Sequence, residues 1–230
     1  MRWCEENDIP TNPKWHKYRP KFKLVEQEII YLTENELQRL FALKIPPTKK
    51  YLQNVRDVFL FCCFSGLRYS DVAKLRPCDI YENAMHLQTR KTNDILTIEL
   101  NDITQKIVAK HASGHPETDE LFAVCSNQNY NIYIKELCQL AKIDTPITRR
   151  HFVGAECVET TVPKWQLITS HCARRTFVVL ALTLSVPLEV IMKWTGHNDT
   201  KAIKPYVAIV EELKKKEMEK LNVFAHNLPT

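Results

Sequence analysis

The stretch Ser170-His171-Cys172-Ala173-Arg174-Arg175-Thr176-Phe177, with Trp194-Thr195-Gly196-His197 and Lys204-Pro205-Tyr206 after it, concentrates the chemistry-bearing side chains of this chain. His171 and Arg174 are three positions apart, so on a helix they share one face. Val178 and Ala181 continue that face as apolar residues, which sets the two polar side chains at the edge of a core. The helix is expected to end near Ser185, ahead of Pro187, whose locked φ suits a first helical position. The next segment carries Leu188, Val190, Ile191, Met192 and Trp194 and stops at Gly196, a residue able to close a helix in the left-handed conformation. His197 follows at once. Tyr206 comes after Pro205, which disfavours a helical conformation at the residue before it.

His171-x-x-Arg174, Gly196-His197 and Tyr206 resemble the His-x-x-Arg, Leu-Gly-His and tyrosine boxes of the tyrosine recombinases, the phage-integrase family. Thr195 stands where the second box has leucine. Upstream, Ser65-Gly66-Leu67-Arg68-Tyr69-Ser70-Asp71 resembles the family's Thr-Gly-Leu-Arg-x-Ser-Glu box, and Gln88-Thr89-Arg90-Lys91-Thr92 resembles the hairpin that carries its lysine. The match runs in family order over roughly residues 25–224. One box alone would be weak; five in sequence are specific. The resemblance implies a recombinase of the kind found in bacterial mobile elements. It also implies double-stranded DNA as substrate, no metal, ATP or other cofactor, and a homo-oligomer on paired sites: monomer when free, tetramer in the synapse.

Composition sets wider bounds. A chain of 230 residues, 44% hydrophobic and 26% charged, can build one large domain with a substantial core. Its net charge of +5 permits a nucleic-acid partner without arguing for one. The eight cysteines show neither a Cys-x-x-Cys pair nor finger-like Cys/His spacing, and read as reduced thiols. No Asp/Glu cluster has metal-ligand spacing, and four glycines form no phosphate-cradling loop. The first residues are charged and proline-bearing, unlike a signal peptide, and no apolar run approaches the roughly 20 residues of a membrane helix. A cytoplasmic protein without membrane spans is expected.

Residues 1–24 differ in character from the rest of the chain. Asn12-Pro13 and Arg19-Pro20 break helices, and Lys14, Lys17, Arg19, Lys21 and Lys23 make a basic strap. The residues alone read equally as a solvated tail. The resemblance makes this segment the end of an N-terminal DNA-gripping domain plus linker, most of that domain lying outside the sequence, and residues 25–230 the catalytic domain.

Within that domain Thr33, Glu36, Leu32 and Leu37 form a helix start with a capping box and a hydrophobic staple. A core helix is predicted near 51–64, with Val55, Val58, Phe59, Cys62 and Cys63 on one face, delivering Gly66 and Arg68 at its end. Ser70 can cap the next helix. From Ile80 to Leu100 the period turns toward two, and Thr92-Asn93-Asp94 makes a hairpin turn with Lys91 at its tip. Asn101 or Thr104 opens a helix through Ala112. Another helix over 129–141 buries Tyr133, Leu137, Leu140 and Ala141, and a second extended region falls around Phe152-Val153 and Gln166-Leu167-Ile168. The class is α+β: mainly helical with a small antiparallel sheet.

Strand cleavage needs a nucleophile in line with phosphorus, cations on the non-bridging oxygens and an acid for the leaving oxygen. By the resemblance Tyr206 attacks and forms a 3′-phosphotyrosine. Arg68 and Arg174 clamp the phosphate, for which a planar, permanently charged fork is suited. His171 and His197 bond the phosphate and handle the tyrosine proton, Lys91 protonates the leaving 5′-oxygen, and Asp71 supports Arg68 or His171. Arg175 stands where the family often has histidine. Taken singly, each has a plain structural reading as a half-buried tyrosine, a salt-bridged arginine, a core histidine or a solvated lysine. Two other functions share these features. One is a DNA-binding module that has lost catalysis, and the other is a type IB topoisomerase. Val210, Leu213, Leu221 and Phe224 line one face of a last helix, which folds on its own domain or, as the family often does, docks on a neighbouring protomer.

Overall fold

The computed structural model describes residues 2–17, 28–88, 95–113, 116, 119–153, 156–197 and 199–225, with backbone alone from 216 onward. The chain groups into two units, Met1–Glu28 with Thr148–Thr160, and Ile29–Ile147 with Thr161–Thr230. In the first unit, helix α1 (Arg2–Glu6) precedes a 3-10 turn at Pro13–Lys17. The Trp15 indole donates to Glu5 across 2.8 Å.

The second unit begins with α2 (Glu34–Ala42), whose start is the predicted capping box. The Glu36 carboxylate accepts from Thr33 N at 2.7 Å, and the Thr33 hydroxyl accepts from Glu36 N at 3.4 Å. Next comes α3 (Tyr51–Ser65), around which three later helices pack: α5 (Asp102–Ala112), α6 (Asn127–Leu140) and α7 (Ser170–Thr183). It is buried well beyond the one face expected, since Leu52, Leu60 and Phe61 join Val55, Val58, Phe59, Cys62 and Cys63 inside. A helix with neighbours on several sides has no solvent face to keep polar. Gly66 ends it in the left-handed conformation, φ 70°. The short α4 (Tyr69–Val72) has Arg68 at its N-cap, not Ser70. Ser70 lies inside the helix, and its hydroxyl donates to Asp71 at 3.4 Å.

Strands β1 (Ile80–Tyr81), β2 (Ala84–Gln88) and β3 (Ile95–Glu99) form an antiparallel sheet in that order. Met85 faces Ile98 and Leu87 faces Leu96, so the pairs bury one side of the ribbon. The expected turn with Lys91 at its tip lies outside the described residues. Asn101 caps α5, accepting from Ile103 N and Thr104 N. In α6 the buried stripe is Tyr130, Ile134, Leu137 and Cys138. Tyr133 and Leu140 stay half-buried: Tyr133 packs against Tyr51 with ring centroids 4.9 Å apart, at the rim of the core.

A second hairpin pairs β4 (Pro146–Val153) with β5 (Glu156–Pro163). The extension expected at Gln166–Ile168 is instead a 3-10 turn, Lys164–Leu167. The chain is folded back there by Lys164 N on Thr145 O and Trp165 N on Ile143 O, both at 2.9 Å. Then come α7, α8 (Leu188–Thr195) and α9 (Lys204–Ala225). Ser185 takes the left-handed turn that closes α7, and Gly196 the one that closes α8. Lys204 is helical despite Pro205, because the proline falls in the first turn of α9, where its missing N–H has no helical partner to lose. Val210 of α9 is buried in its own unit; the side chains of Leu221 and Phe224 lie outside the described residues. No described helix is long and apolar enough to cross a membrane. The fold is α+β, mainly helical with small antiparallel sheets, as the sequence predicts.

Candidate active site

Three breaks in regular structure meet here: the glycine turn after α3, the first turns of α7, and the glycine turn after α8. Arg174 joins them. Its side chain is 3% exposed. Nη1 donates to the Gly66 carbonyl at 2.9 Å, and Nη2 donates to the Thr195 carbonyl and lies 3.4 Å from His197 Nε2. A guanidinium has five N–H donors and no acceptor, so three are held inside the protein and its plane is set before any ligand arrives. Both carbonyls belong to helix C-termini, whose last C=O groups lack helical partners. A buried cation at these ends satisfies them and is attracted by the helix dipoles.

Arg68 reaches the same space from the N-cap of α4, with its side chain 25% exposed and Nη1 3.9 Å from Asp71 Oδ2. That carboxylate oxygen is buried with no hydrogen-bond partner. Arg68, His171 and Arg174 line one cleft of ≈ 450 Å³, together with Tyr69, Ser70 and Lys74. The sites expected to share a helix face do so, with His171 exposed at the mouth and Arg174 buried behind it. Burial, and then the neighbouring Arg68, lower the Arg174 pKa to about 10, against the opposing pull of Asp71 and Tyr206. Two guanidiniums thus converge on one cleft with Asp71 as an acidic neighbour of both, and a tetrahedral oxyanion bound there would accept from both.

His197 approaches from the turn after α8. Its Nδ1 lies 2.7 Å from the Thr195 hydroxyl. Burial, then Arg174, Arg68 and His171, push its pKa down to about 4, so the ring is neutral near pH 7. Tyr206 is beside this cleft and not in its lining. Its ring packs in the small core of Val178, Ala181, Ile191 and Ile203, and its phenol oxygen accepts a hydrogen bond from Arg175. Burial raises the phenol pKa, while Arg175 and Arg174 oppose that rise. Lys91 lies outside the described residues.

The phage integrase family model matches residues 31–212. The chain belongs to the phage integrase family. Family and fold mark it as a tyrosine recombinase, a DNA strand-transferase. No curated protein sequence matches it. Among solved structures, XerA recombinase is 15% identical with a TM-score of 0.58, covering 94% of this chain and 71% of its own. A lambda integrase (75–356) dimer bound to a core site is 15% identical with a TM-score of 0.61, over 90% of this chain and 68% of that one. XerH site-specific recombinase bound to its difH substrate is 14% identical with a TM-score of 0.56, over 82% of this chain. This chain spans 53% of XerH. At these identities the structures establish the shared fold.

Three partners in this integrase-family site escaped sequence reasoning. The Gly66 and Thr195 carbonyls are main-chain groups, invisible in a search for polar side chains. The Arg175 bond to Tyr206 joins α7 to α9, and nothing in the spacing announces it. Thr195 was visible only as a departure from leucine.

Proposed function

We propose that this chain breaks and rejoins DNA strands by transesterification, with Tyr206 as nucleophile. The observation that carries the reading is the convergence of Arg68 with Arg174, the latter held by two helix-end carbonyls beside a neutral histidine. Pre-set cations need little reorganisation as charge develops on a phosphorane. Arg174 and Arg68 hold the non-bridging oxygens, His171 lies at the cleft mouth and bonds the same phosphate, and Asp71 steadies Arg68. The Tyr206 oxygen gives up its proton to the histidine pair, His171 and His197, and attacks phosphorus, forming the 3′-phosphotyrosine and releasing the 5′-oxygen. Lys91, by its resemblance to the family's hairpin lysine, gives that oxygen its proton. The 5′-hydroxyl of a second strand reverses the step, so bond energy is conserved and no cofactor is consumed.

The partner is double-stranded DNA, bound through phosphate contacts that weaken steeply with salt, and two or more copies act together on paired sites. Residues 1–24 serve as a basic linker from a DNA-gripping domain to the catalytic domain at 25–230. The protein acts on DNA in the cytoplasm. The test is a nicked suicide substrate run on a denaturing gel. The wild-type chain traps a covalent adduct; Tyr206→Phe traps none and still binds DNA. An adduct at wild-type level in Tyr206→Phe moves the nucleophile elsewhere, and none from either protein overturns the reading.

A further inference from the structure

A helix leaves its first N–H groups without partners of its own. In α7 one of them, that of Ser170, is met from another helix: Asn131 Oδ1 of α6 accepts from Ser170 N at 2.7 Å, across 39 positions of sequence. Asn131 Nδ2 lies 2.7 Å from the Asn127 carbonyl oxygen and 3.2 Å from Asn127 Oδ1. Carbonyl oxygens accept and N–H groups donate, so the contacts on both sides of the Asn131 amide fix the same orientation. The Ser170 hydroxyl donates to Asn127 Oδ1 at 3.3 Å. Two asparagines four positions apart, on one face of α6, thus hold both the backbone and the side chain of the residue directly before His171. Asn127 and Ser170 line the same cleft as Arg68, His171 and Arg174.

We propose that Asn131, backed by Asn127, is a positioning residue that fixes the start of α7 and through it the ring of His171 at the cleft mouth. The inference rests on the function proposed above for that cleft. Arg174 needs no such help, because the Gly66 and Thr195 carbonyls already hold its guanidinium. His171 is different: it is exposed and sits in the first turn of its helix. Helix ends fray, so a first-turn side chain is placed only as well as the terminus that carries it. Asparagine is an indifferent helix former, since its amide competes for nearby backbone groups. Here that capacity is turned on the neighbouring helix, and α6 supplies a cap that α7 cannot reach from its own sequence.

The experiment uses the full chain on the suicide substrate at saturating DNA. Asn131→Ala should form adduct about 10- to 100-fold more slowly, since a displacement near 1 Å can cost about 10²-fold. Affinity for DNA should change little, because the arginine clamp is untouched. Asn131→Asp keeps the accepting oxygen and should recover most of the rate. In a His171→Ala background Asn131→Ala should cost almost nothing more, whereas a change that only loosened the fold would cost as much as before. Ser170→Pro removes the N–H itself, and proline suits a first helical position after an extended residue such as Thr169, at φ −134° and ψ 169°. It should slow adduct formation as Asn131→Ala does, and it takes that variant's place if the alanine protein does not fold. A wild-type rate in Asn131→Ala, or an undiminished loss in the His171→Ala background, overturns the proposal. The free protein labelled with nitrogen-15 in histidine gives a readout without chemistry. The His171 signal, identified by its loss in His171→Gln, should move in Asn131→Ala and return in Asn131→Asp. A signal that stays in place overturns the proposal whatever the activity. If the signal moves as stated but the wild type forms no adduct, the positioning stands and the proposed function falls.

Discussion

The Glu36 carboxylate meets the Lys164 ammonium at 2.6 Å, with side chains 4% and 10% exposed. Glu36 is also the residue that closes the cap of α2, and Lys164 opens the turn ahead of α7. One buried ion pair thus joins the first helix of the larger unit to the turn that leads into the helix carrying His171 and Arg174.

Removing one member of this pair leaves the other charge buried and unmatched. Lys164→Ala should cost about 3–5 kcal/mol, and Glu36→Gln with Lys164→Met much less, because no isolated charge remains. Urea unfolding of the two variants checks this. A loss under about 1 kcal/mol in Lys164→Ala would show that water reaches Glu36.

Gly66→Ala should destabilise by about 1–3 kcal/mol and also slow cleavage, because the left-handed turn resists a Cβ. The added carbon would sit 2.6 Å from the Phe177 ring, and the carbonyl that anchors Arg174 would shift with it. Adding Phe177→Leu should recover the packing part and leave the conformational part. Full recovery of stability in the double variant would show that φ at this position is not a constraint.

Stability should fall on acidification in a window set by His197. Its pKa drops from 6.5 to about 4, by burial first and by Arg174 next. Between those values the unfolded chain binds more protons than the folded one, so stability rises with pH across the window and is lost as pH falls through it. The Asp57 carboxylate acts lower. Burial raises its pKa, but hydrogen bonds from His111 and Lys110 bring it below 3.8, so its contribution is present above that value and lost below it. Urea midpoints at pH 7 and pH 5 should therefore differ, and His197→Gln should flatten the difference. An unchanged slope would mean that the ring is charged in the folded protein.

Lys91→Ala should slow cleavage by about 10²–10⁴-fold on ordinary DNA, the range for losing a general acid. It should do so far less on a substrate with sulfur at the bridging 5′ position, where a thiolate leaves without a proton. Sulfur rescue of Arg174→Ala but not of Lys91→Ala would assign the acid to the wrong residue.

Sequence reasoning was most accurate where a rule is local. The capping box at Thr33 and Glu36, the Asn101 cap, the glycine ends at Gly66 and Gly196 and the alternation of Met85 and Leu87 all depend on residues a few positions apart. It erred where distant packing decides. Ser70 lost the cap of α4 to Arg68, the apolar face of α6 turned to bury Tyr130 and Ile134, and the segment at Gln166 folded back through bonds to Thr145 and Ile143.

The same division runs through the site. The sequence by itself determined which side chains are available, because the spacing of His171, Arg174, Gly196, His197 and Tyr206 follows from two helices and their end signals. Only the tertiary structure decided what each one touches. Gly66 and Thr195 are 129 positions apart, yet their carbonyls hold one guanidinium, because packing α7 against α3 and α8 brings the two glycine turns together. A residue string lists donors and acceptors, but pairing them takes distances below about 3.5 Å, which folding alone supplies.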